Sequence, residues 1–191
     1  MEKQKYAAIV LAAGSGKRMN SKVHKQYLII QDRPVLYYSL KAFEDSAVDE
    51  IVLVVGKGEE EFCRKEIVDK YGISKVKAIV EGGKERYHSV FEGLKQTSDA
   101  DYVLIHDGAR PFVNQDIIRR CMQEVQKYQA CVVGMPVKDT IKIADEEGYA
   151  KQTPDRKNVW MIQTPQTFSY ALIYEAYGEM LKTEDTAITD D

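Results

Sequence analysis

The sequence is poor in the residue patterns that build disulfide frameworks and zinc sites. It contains three cysteines among 191 residues: Cys63, Cys121 and Cys131. Their number is odd and no two of them have CxxC spacing, so the simplest interpretation is free thiols in a reducing compartment, with neither disulfides nor a zinc site. The histidines also lack metal-ligand spacing among themselves, which favours structural or solvent roles for His24, His88 and His106.

Long apolar runs and an excess of positive charge are also missing. No run approaches the ~18 apolar residues of a membrane span. Residues 1–6 lead directly into a strand-like segment without a signal-peptide pattern, which predicts a cytoplasmic protein with no membrane partner. The formal net charge is −3, and this balance argues against general nucleic-acid binding.

Acidic residues are absent from one stretch of this acidic protein, residues 17–25. The basic residues of that stretch are Lys17, Arg18, Lys22 and Lys25. A local basic segment in a chain of negative net charge suits a small anionic ligand better than a polyanion such as nucleic acid.

Short apolar runs alternate with segments of helical periodicity. The runs predict buried strands at Tyr6–Leu11, Ile51–Val55, Val76–Val80, Tyr102–Ile105 and Ala130–Met135. Between them, apolar residues recur at i, i+3, i+4 and i+7, which predicts helices. This alternation indicates an α/β fold with a Rossmann-like, mostly parallel sheet flanked by helices. The loops that follow the strands then share one edge of the sheet, where ligands of open α/β sheets bind.

The alternation breaks after Pro136. Residues 140–150 alternate around an Asp-Glu-Glu-Gly turn, which predicts a β-hairpin. A lone hairpin has little core and needs a partner surface, so we predict a protruding β-arm over about residues 137–156 of a single domain spanning residues 1–191. A helix is predicted over Ser169–Lys182. The chain then stops at Asp191 without a closing element, which predicts a missing C-terminal part.

The first candidate binding segment is Leu11–Met19, with the sequence LAAGSGKRM. Its small residues let backbone N–H groups approach phosphate oxygens. It is not a Walker A loop, because Gly16-Lys17 is followed by Arg18, and Met19 replaces the third glycine of the dinucleotide fingerprint. Arg18 can grip phosphate oxygens with two hydrogen bonds, and Lys25 can supply a mobile charge. An ordinary strand-to-helix turn followed by a solvated basic loop is the alternative.

The second candidate segment is Glu81–Ser89, with the sequence EGGKERYHS. Two glycines before a helix let backbone groups approach a flat base edge. The Ser89 hydroxyl can hydrogen-bond a base or a ribose. A simple turn after a strand, with Ser89 on a polar helix face, is an equally acceptable interpretation of this segment alone.

The third candidate segment, His106–Pro111, follows a predicted strand. A carboxylate such as Asp107, placed beside phosphate oxygens, can hold Mg²⁺ while waters complete the octahedron. Arg110 can pair with a second phosphorylated substrate. The alternative is a structural ion pair between Asp107 and Arg110 within a turn.

Taken together, these segments resemble the family of 2-C-methyl-D-erythritol 4-phosphate cytidylyltransferases over nearly the whole chain. Their order and spacing carry the resemblance, because no segment is specific alone. The segments are Leu11–Met19, Lys25–Tyr27, Glu81–Arg86, His106–Pro111, Val137–Lys142, Thr153–Arg156, Gln163–Gln166 and Ala187–Asp190.

The resemblance implies a fold of the nucleotide-diphospho-sugar transferase type and a reaction with two small substrates. CTP and 2-C-methyl-D-erythritol 4-phosphate would give 4-diphosphocytidyl-2-C-methyl-D-erythritol and pyrophosphate, within the non-mevalonate isoprenoid pathway. Mg²⁺ or another divalent cation is the implied cofactor. The hairpin is implied to reach across a homodimer, so that one active site uses residues from both chains.

The resemblance also implies roles for individual residues. The expected catalytic residues are Arg18, Lys25 and Arg156. The expected CTP contacts are Ala12, Ala13, Gly14, Ser15, Gly16, Lys17, Gly83, Lys84, Ser89 and Asp107, and Asp107 is also the expected metal ligand. The expected contacts to the phosphate of the sugar alcohol are Arg110, Thr140, Arg156, Thr164 and Thr189.

Two features depart from the family pattern. Lys84 stands where many relatives have an acidic residue, and relatives continue past the last residue of this chain with a strand, a helix and an Asn-Ile-Lys motif. Other functions remain open: a cytidylyltransferase for ribitol 5-phosphate, or a nucleotide-binding module without catalysis. A sugar-1-phosphate nucleotidyltransferase is disfavoured by the predicted hairpin and by the Thr153–Arg156 segment.

Overall fold

The computed structural model describes residues 3–14 and 23–182 of the chain. Its strands are β1 (Tyr6–Ala12), β2 (Ile29–Ile30), β3 (Arg33–Pro34), β4 (Glu50–Val55), β5 (Val76–Glu81), β6 (Tyr102–Asp107), β7 (Ala130–Pro136), β8 (Ile143–Ala144), β9 (Ala150–Gln152) and β10 (Trp160–Ser169). Its helices are α1 (Val35–Glu44), α2 (Glu60–Cys63, continued by π-type turns over Arg64–Asp69), α3 (Arg86–Leu94), α4 (Gln115–Tyr128) and α5 (Tyr170–Met180), with 3-10 turns at Lys25–Tyr27 and Arg156–Asn158.

The central sheet contains six strands in the order β5-β4-β1-β6-β10-β7. Strand β1 runs parallel to both β4 and β6, and β5 runs parallel to β4. Strand β10 runs antiparallel to both of its neighbours, so β7 has the same direction as β6. The prediction of a mostly parallel sheet flanked by helices is confirmed. The carboxyl ends of β1, β4, β5, β6 and β7 consequently lie at one edge of the sheet.

Two apolar layers cover the two faces of this sheet. Val10 of β1 packs in one layer with Leu36 of α1 and Ile118 of α4, whereas its neighbour Ile9 packs in the opposite layer with Leu94 of α3. Because successive side chains of a strand point to opposite faces, a strand buried on both sides needs apolar residues at every position. This requirement explains the continuous apolar runs that made these strands predictable.

The longest strand of the sheet, β10, is absent from the sequence-based prediction. Its sequence includes Pro165, and proline normally argues against a central strand because it has no N–H to donate. The strand accommodates the proline through a shift in register with β7 between Ile162 and Gln166. Residues on either side of the shift pair normally, from Trp160 in one direction to Phe168 in the other.

Strands β8 and β9 pair antiparallel, as the alternation after Pro136 predicts. The turn between them is held by the Asp145 carboxylate, which accepts hydrogen bonds from the N–H groups of Glu147 at 3.2 Å and Tyr149 at 2.8 Å. Gly148 has a φ of +88°, in the left-handed region that glycine adopts without steric cost. The pairing is present, whereas a role as an arm between subunits stays a prediction.

Candidate functional site

The three segments singled out in the sequence, the first of them as far as Gly14, meet at the carboxyl edge of the sheet. The register pairs Leu11 of β1 with Asp107 of β6, and the N–H of Gly108 donates to the Leu11 carbonyl at 2.8 Å. On the other side of β1, the N–H of Gly82 donates to the carbonyl of Val55, the last residue of β4, also at 2.8 Å. The segments that follow β1, β5 and β6 are therefore held together by the sheet itself.

Gly82 brings the loop after β5 directly against the loop after β1. A Cβ atom built on Gly82 would lie 2.6 Å from the Cβ of Ala13 and 2.7 Å from the Ser89 hydroxyl oxygen, so any side chain here would push these groups apart. The buried Ser89 hydroxyl accepts a hydrogen bond from the Gly83 N–H at 3.1 Å and donates to the Glu85 carbonyl at 3.3 Å. The structure thus groups three of the expected nucleotide contacts: Ala13, Gly83 and Ser89.

The carboxylate of Asp107 lies between two arginines. Its Oδ2 accepts a hydrogen bond from Nε of Arg110 at 2.8 Å, and its Oδ1 lies 3.5 Å from Nε of Arg86. Burial raises the pKa of Asp107, but the hydrogen bond from Arg110 and the charges of Arg86 and Arg110 outweigh this effect and hold its pKa below the usual value. The carboxylate is therefore ionised across the neutral range.

The ion pair between Asp107 and Arg110, one of the two alternatives left open by the sequence, is present. The ion pair does not prevent either residue from contacting a ligand, because the side chains of Asp107 and Arg110 remain 30% and 43% exposed. Arg110 also donates through Nη1 to the side-chain carbonyl of Gln163. A planar guanidinium held by two partners in this way has a fixed orientation, which suits recognition of a phosphate.

A buried histidine holds the turn that carries Asp107 and Arg110. Nε2 of His106 lies 3.2 Å from the Arg110 carbonyl, and Nδ1 lies 2.9 Å from Oγ1 of Thr164. Because a carbonyl only accepts, Nε2 carries the proton and Nδ1 accepts from the threonine hydroxyl. The same hydroxyl accepts from the Asp107 N–H at 3.3 Å. His106 is therefore structural, and Thr164, an expected substrate contact, uses its hydroxyl to join β10 to this turn.

We expect the buried His106 to make folding stability depend on pH. Burial lowers its pKa from 6.5 to about 4. Between pH 6.5 and about pH 4, His106 is protonated in the unfolded chain but not in the folded chain. The contribution of His106 to the free energy of unfolding is therefore fully present above pH 6.5 and is lost as the pH falls to about 4. The loss is up to roughly 3 kcal/mol, at 1.36 kcal/mol per unit of pKa. Urea unfolding of the wild type at several pH values measures it.

The control for this pH dependence is His106→Gln, which cannot titrate. This variant is expected to be less stable at neutral pH but to lose less stability between pH 6.5 and 4.5 than the wild type does. Equal slopes for His106→Gln and the wild type would contradict the role assigned to His106.

The 3-10 turn that carries Lys25 is attached to the end of β1. The buried side chain of Gln26 donates through Nε2 to the carbonyl of Ala12 at 2.5 Å and to that of Gly14 at 3.2 Å. The neighbouring Lys25 is exposed. Since β1 is the neighbour of β6 in the sheet, the turn places Lys25 on the same edge as Asp107.

The remaining expected contacts lie in the loop after β5 and in the hairpin segment. Lys84 is exposed beside Gly83, and Thr140 is exposed before β8. Arg156 follows β9, and its Nη1 donates to the Lys138 carbonyl at 3.1 Å, within the hairpin segment rather than to the Asp107 group. Strand β7 ends at the same sheet edge as β6, so the hairpin leaves the sheet where the other candidate residues gather.

Several expected site residues lie outside the described part of the chain, so their positions stay predictions: Ser15, Gly16, Lys17, Arg18 and Thr189. Three residues that organise the site carry no role predicted from the sequence. Gln26, Arg86 and Gln163 each belong to a segment that carries the family resemblance, yet only the fold shows their partners. The sequence signal that could have identified them is a polar residue inside a segment that carries the family resemblance.

Two further observations concern the described residues, 3–14 and 23–182. No helix among them has the length and apolar composition needed to cross a bilayer. They also contain no cluster of three or more His, Cys, Asp and Glu side chains arranged to bind a metal. The ionised carboxylate of Asp107 suits a cation whose other ligands are waters and phosphate oxygens.

Comparison with known proteins gives a consistent result along the chain. The family described as IspD, 2-C-methyl-D-erythritol 4-phosphate cytidylyltransferase, matches residues 6–191. The protein of that name from Lachnoclostridium phytofermentans is 51% identical over 188 residues, which cover 98% of this chain and 81% of the relative. The protein of that name from Lachnospira eligens is 54% identical over 186 residues, which cover 96% of this chain and 82% of the relative.

Solved structures agree with these sequence matches. The 4-diphosphocytidyl-2C-methyl-D-erythritol synthase from Anaerococcus prevotii superposes with a TM-score of 0.85 at 36% identity, covering 98% of this chain and 79% of that one. The 2-C-methyl-D-erythritol 4-phosphate cytidylyltransferase from Thermus thermophilus superposes with a TM-score of 0.73 at 30% identity, covering 94% and 79% of the two chains.

Proposed function

Since the chain belongs to the family of 2-C-methyl-D-erythritol 4-phosphate cytidylyltransferases, and is thus a nucleotidyltransferase, we propose that it joins CTP to 2-C-methyl-D-erythritol 4-phosphate. The products are 4-diphosphocytidyl-2-C-methyl-D-erythritol and pyrophosphate, in the non-mevalonate isoprenoid pathway of the cytoplasm. Binding of the nucleotide is best supported by one observation: Ala13, Ser89 and Asp107 are grouped at one edge of the sheet.

The reaction is a direct in-line transfer. An oxygen of the sugar-alcohol phosphate attacks the α-phosphorus of CTP, and the bond to the leaving pyrophosphate breaks. The attacking oxygen is already anionic, so it needs no strong general base. The two polyanions repel each other, so the protein must supply positive charge and alignment. Lys17, Arg18 and Lys25 offset the charge of the triphosphate, and Arg156 orients the nucleophile.

The backbone and small side chains at the ends of β1 and β5 bind the nucleotide. Ala12 to Lys17 surround the phosphates with N–H groups, because small residues allow close approach. Gly83 and Lys84, in the loop after β5, contact the cytidine together with Ser89, in the first turn of α3. The second substrate is bound by Arg156 together with Arg110, Thr140, Thr164 and Thr189.

Asp107 is the residue that fits a divalent cation, Mg²⁺ or a similar ion. Its carboxylate is ionised and partly exposed, and a single carboxylate with phosphate oxygens and waters is a common Mg²⁺ environment. When bound, the cation neutralises charge on the triphosphate and its leaving group. Arg86 and Arg110 keep the carboxylate ionised.

The active enzyme is a homodimer whose hairpin segments cross between subunits. Exposed apolar side chains on one face of β7 and β10 support this proposal: Val132, Trp160 and Ile162. Contiguous apolar surface marks interaction sites in soluble proteins. This group borders the base of the hairpin, because Pro136 of β7 pairs with Trp160 of β10.

A pyrophosphate-release assay with purified protein, CTP and Mg²⁺ tests the reaction. We expect release with 2-C-methyl-D-erythritol 4-phosphate and far slower release with ribitol 5-phosphate. Faster release with ribitol 5-phosphate would instead support the related ribitol enzyme. Binding of CTP without release in the presence of either alcohol phosphate would favour a nucleotide-binding module.

Complementation between two inactive variants tests the shared site. If Lys25 of one subunit works with the partner's Arg156, co-expressed Lys25→Ala and Arg156→Ala chains form heterodimers in which one of the two sites is intact. A random mixture then recovers about a quarter of the wild-type sites, because half of the dimers are mixed. The measurement is turnover of the copurified mixture against each variant alone. Absence of recovery in dimers shown to be mixed would place both residues in one chain.

A further inference from the structure

Glu59, in the loop between β4 and α2, lies outside every segment that the sequence indicated as functional. Its carboxylate nevertheless makes three contacts. Oε1 lies 3.0 Å from Nδ1 of His24, and Oε2 accepts hydrogen bonds from the Tyr27 hydroxyl at 2.7 Å and from the Gly56 N–H at 3.0 Å. The side chain is only 20% exposed. This acid therefore links the loop after β4 to both ends of the turn that contains Lys25.

The contacts leave Lys25 as the exposed member of an otherwise anchored segment. The turn is closed by the Tyr27 N–H, which donates to the His24 carbonyl at 2.9 Å. Glu59 holds the residues at the two ends of this turn, and Gln26 is buried and bonded to the end of β1. Fixing the flanking residues restricts where the flexible lysine stem can begin, which lowers the entropy lost when its amine meets a ligand.

Local packing keeps the Glu59 contacts in place. Burial raises the pKa of the Tyr27 hydroxyl, so this group stays protonated and donates to the carboxylate. The Tyr27 ring packs edge-on against Phe62, with 5.3 Å between ring centroids, and its hydroxyl lies 3.2 Å from Sγ of Cys63. A Cβ atom on Gly56 would lie 2.7 Å from a carboxylate oxygen of Glu59, so glycine leaves the room that this acid occupies.

We propose that Glu59 is a positioning residue for cytidylyl transfer, which fixes the turn that presents Lys25 to the triphosphate. The inference rests on the proposed function, because it depends on the role of Lys25 there. Glu59 does not touch the substrates in this arrangement. Its loss should therefore lower kcat by about 10- to 100-fold, the scale expected from misplacing a reacting group, with a smaller effect on the KM for CTP.

The discriminating experiment is a double-mutant cycle with Lys25, measured by pyrophosphate release. Glu59→Ala in the wild-type background should lose turnover, whereas Glu59→Ala added to Lys25→Ala should cause little further loss. Equal losses in both backgrounds would overturn the inference, because a general structural defect does not depend on Lys25. No loss of turnover with Glu59→Ala in an active enzyme would also overturn it, while an inactive wild type would reject the proposed function instead.

Conservative variants keep the inference testable if Glu59→Ala folds poorly. Glu59→Gln can still accept from Tyr27 and Gly56 and can face His24 with its amide, so it should keep turnover within about 3-fold of wild type. Tyr27→Phe keeps the ring and removes one hydrogen bond, so it should show an intermediate loss. Glu61→Ala, which removes an exposed acid of the adjacent helix α2 paired with Lys65, is the matched control and should resemble wild type. A loss with Glu61→Ala as large as that with Tyr27→Phe would contradict the specific role of Glu59.

Discussion

Replacing Lys25 with alanine is expected to lower the turnover of cytidylyl transfer about 100- to 1,000-fold, far more than it weakens CTP binding. The estimate follows the 2.7–4 kcal/mol that removal of one preorganised charge-stabilising group typically adds to a barrier. Charge builds up between the α-phosphorus and the leaving pyrophosphate only during the transfer, so a cation aimed there acts mainly on the transition state. Steady-state pyrophosphate release gives kcat, and calorimetry gives the dissociation constant of CTP.

The matched control for Lys25→Ala is Lys77→Ala, which removes an exposed lysine from β5 away from the turn. It should leave both kcat and the CTP dissociation constant unchanged. Lys25→Arg is expected to recover part of the turnover, because it keeps the charge while changing its geometry. If Lys25→Ala turned over as fast as the wild type, the proposed catalytic role of Lys25 would be wrong. A proportional loss of CTP binding and turnover would make Lys25 a binding residue only.

The parallel part of the sheet was predictable because its strands are buried on both faces. The predicted run Ile51–Val55 lies within β4, and the predicted run Tyr102–Ile105 falls within β6. In such strands each residue carries the same apolar signal, so the pattern is local and needs no knowledge of partners. Strand boundaries differ by one or two residues, since strand pairing extends beyond the apolar runs, as it does to Glu50 of β4 and to Asp107 of β6.

Strand β10 escaped prediction because its signal is not local. Its central polar residues, Gln163 to Gln166, resemble a loop in sequence, and Pro165 strengthens that impression. Burial between β6 and β7 explains these residues. Thr164 is only 9% exposed and bonds His106, and the register shift around Pro165 removes the need for a ladder hydrogen bond from it. Such a strand is stable only because the fold places it between two neighbouring strands, here β6 and β7.

The same distinction applies to the candidate site. Motif spacing was sufficient to predict that Gly83, Ser89 and Asp107 belong to one sheet edge, because parallel strands end there together. Motif spacing does not predict contacts between segments that are distant in the sequence. Glu59 stands in an acidic run that looks like a solvated helix face, yet its carboxylate bonds Tyr27, 32 residues earlier. A polar side chain reveals such a partner only when the fold brings the two together.

The Asp107→Asn substitution is expected to lower turnover by roughly 100-fold or more and to shift activation by Mg²⁺ to higher concentrations. Asparagine keeps the shape of the side chain but removes the charge that would hold the cation and that pairs with Arg86 and Arg110. The ion pairs are partly exposed, with Arg86 and Arg110 at 31% and 43%, so their loss should cost at most about 1 kcal/mol of folding stability. Activity should therefore fall without a comparable fall in Tm.

The chain offers a matched control for Asp107→Asn in another carboxylate held by two arginines. Asp116 of α4 pairs with Arg119 and Arg120 on an exposed helix surface. Asp116→Asn removes the same charge from the same kind of cluster outside the candidate site, so turnover and Mg²⁺ dependence should match the wild type. Turnover of Asp107→Asn that equals the control at every Mg²⁺ concentration would remove Asp107 from the proposed mechanism. A loss of turnover matched by a large fall in Tm would make its pairing with Arg110 the dominant role.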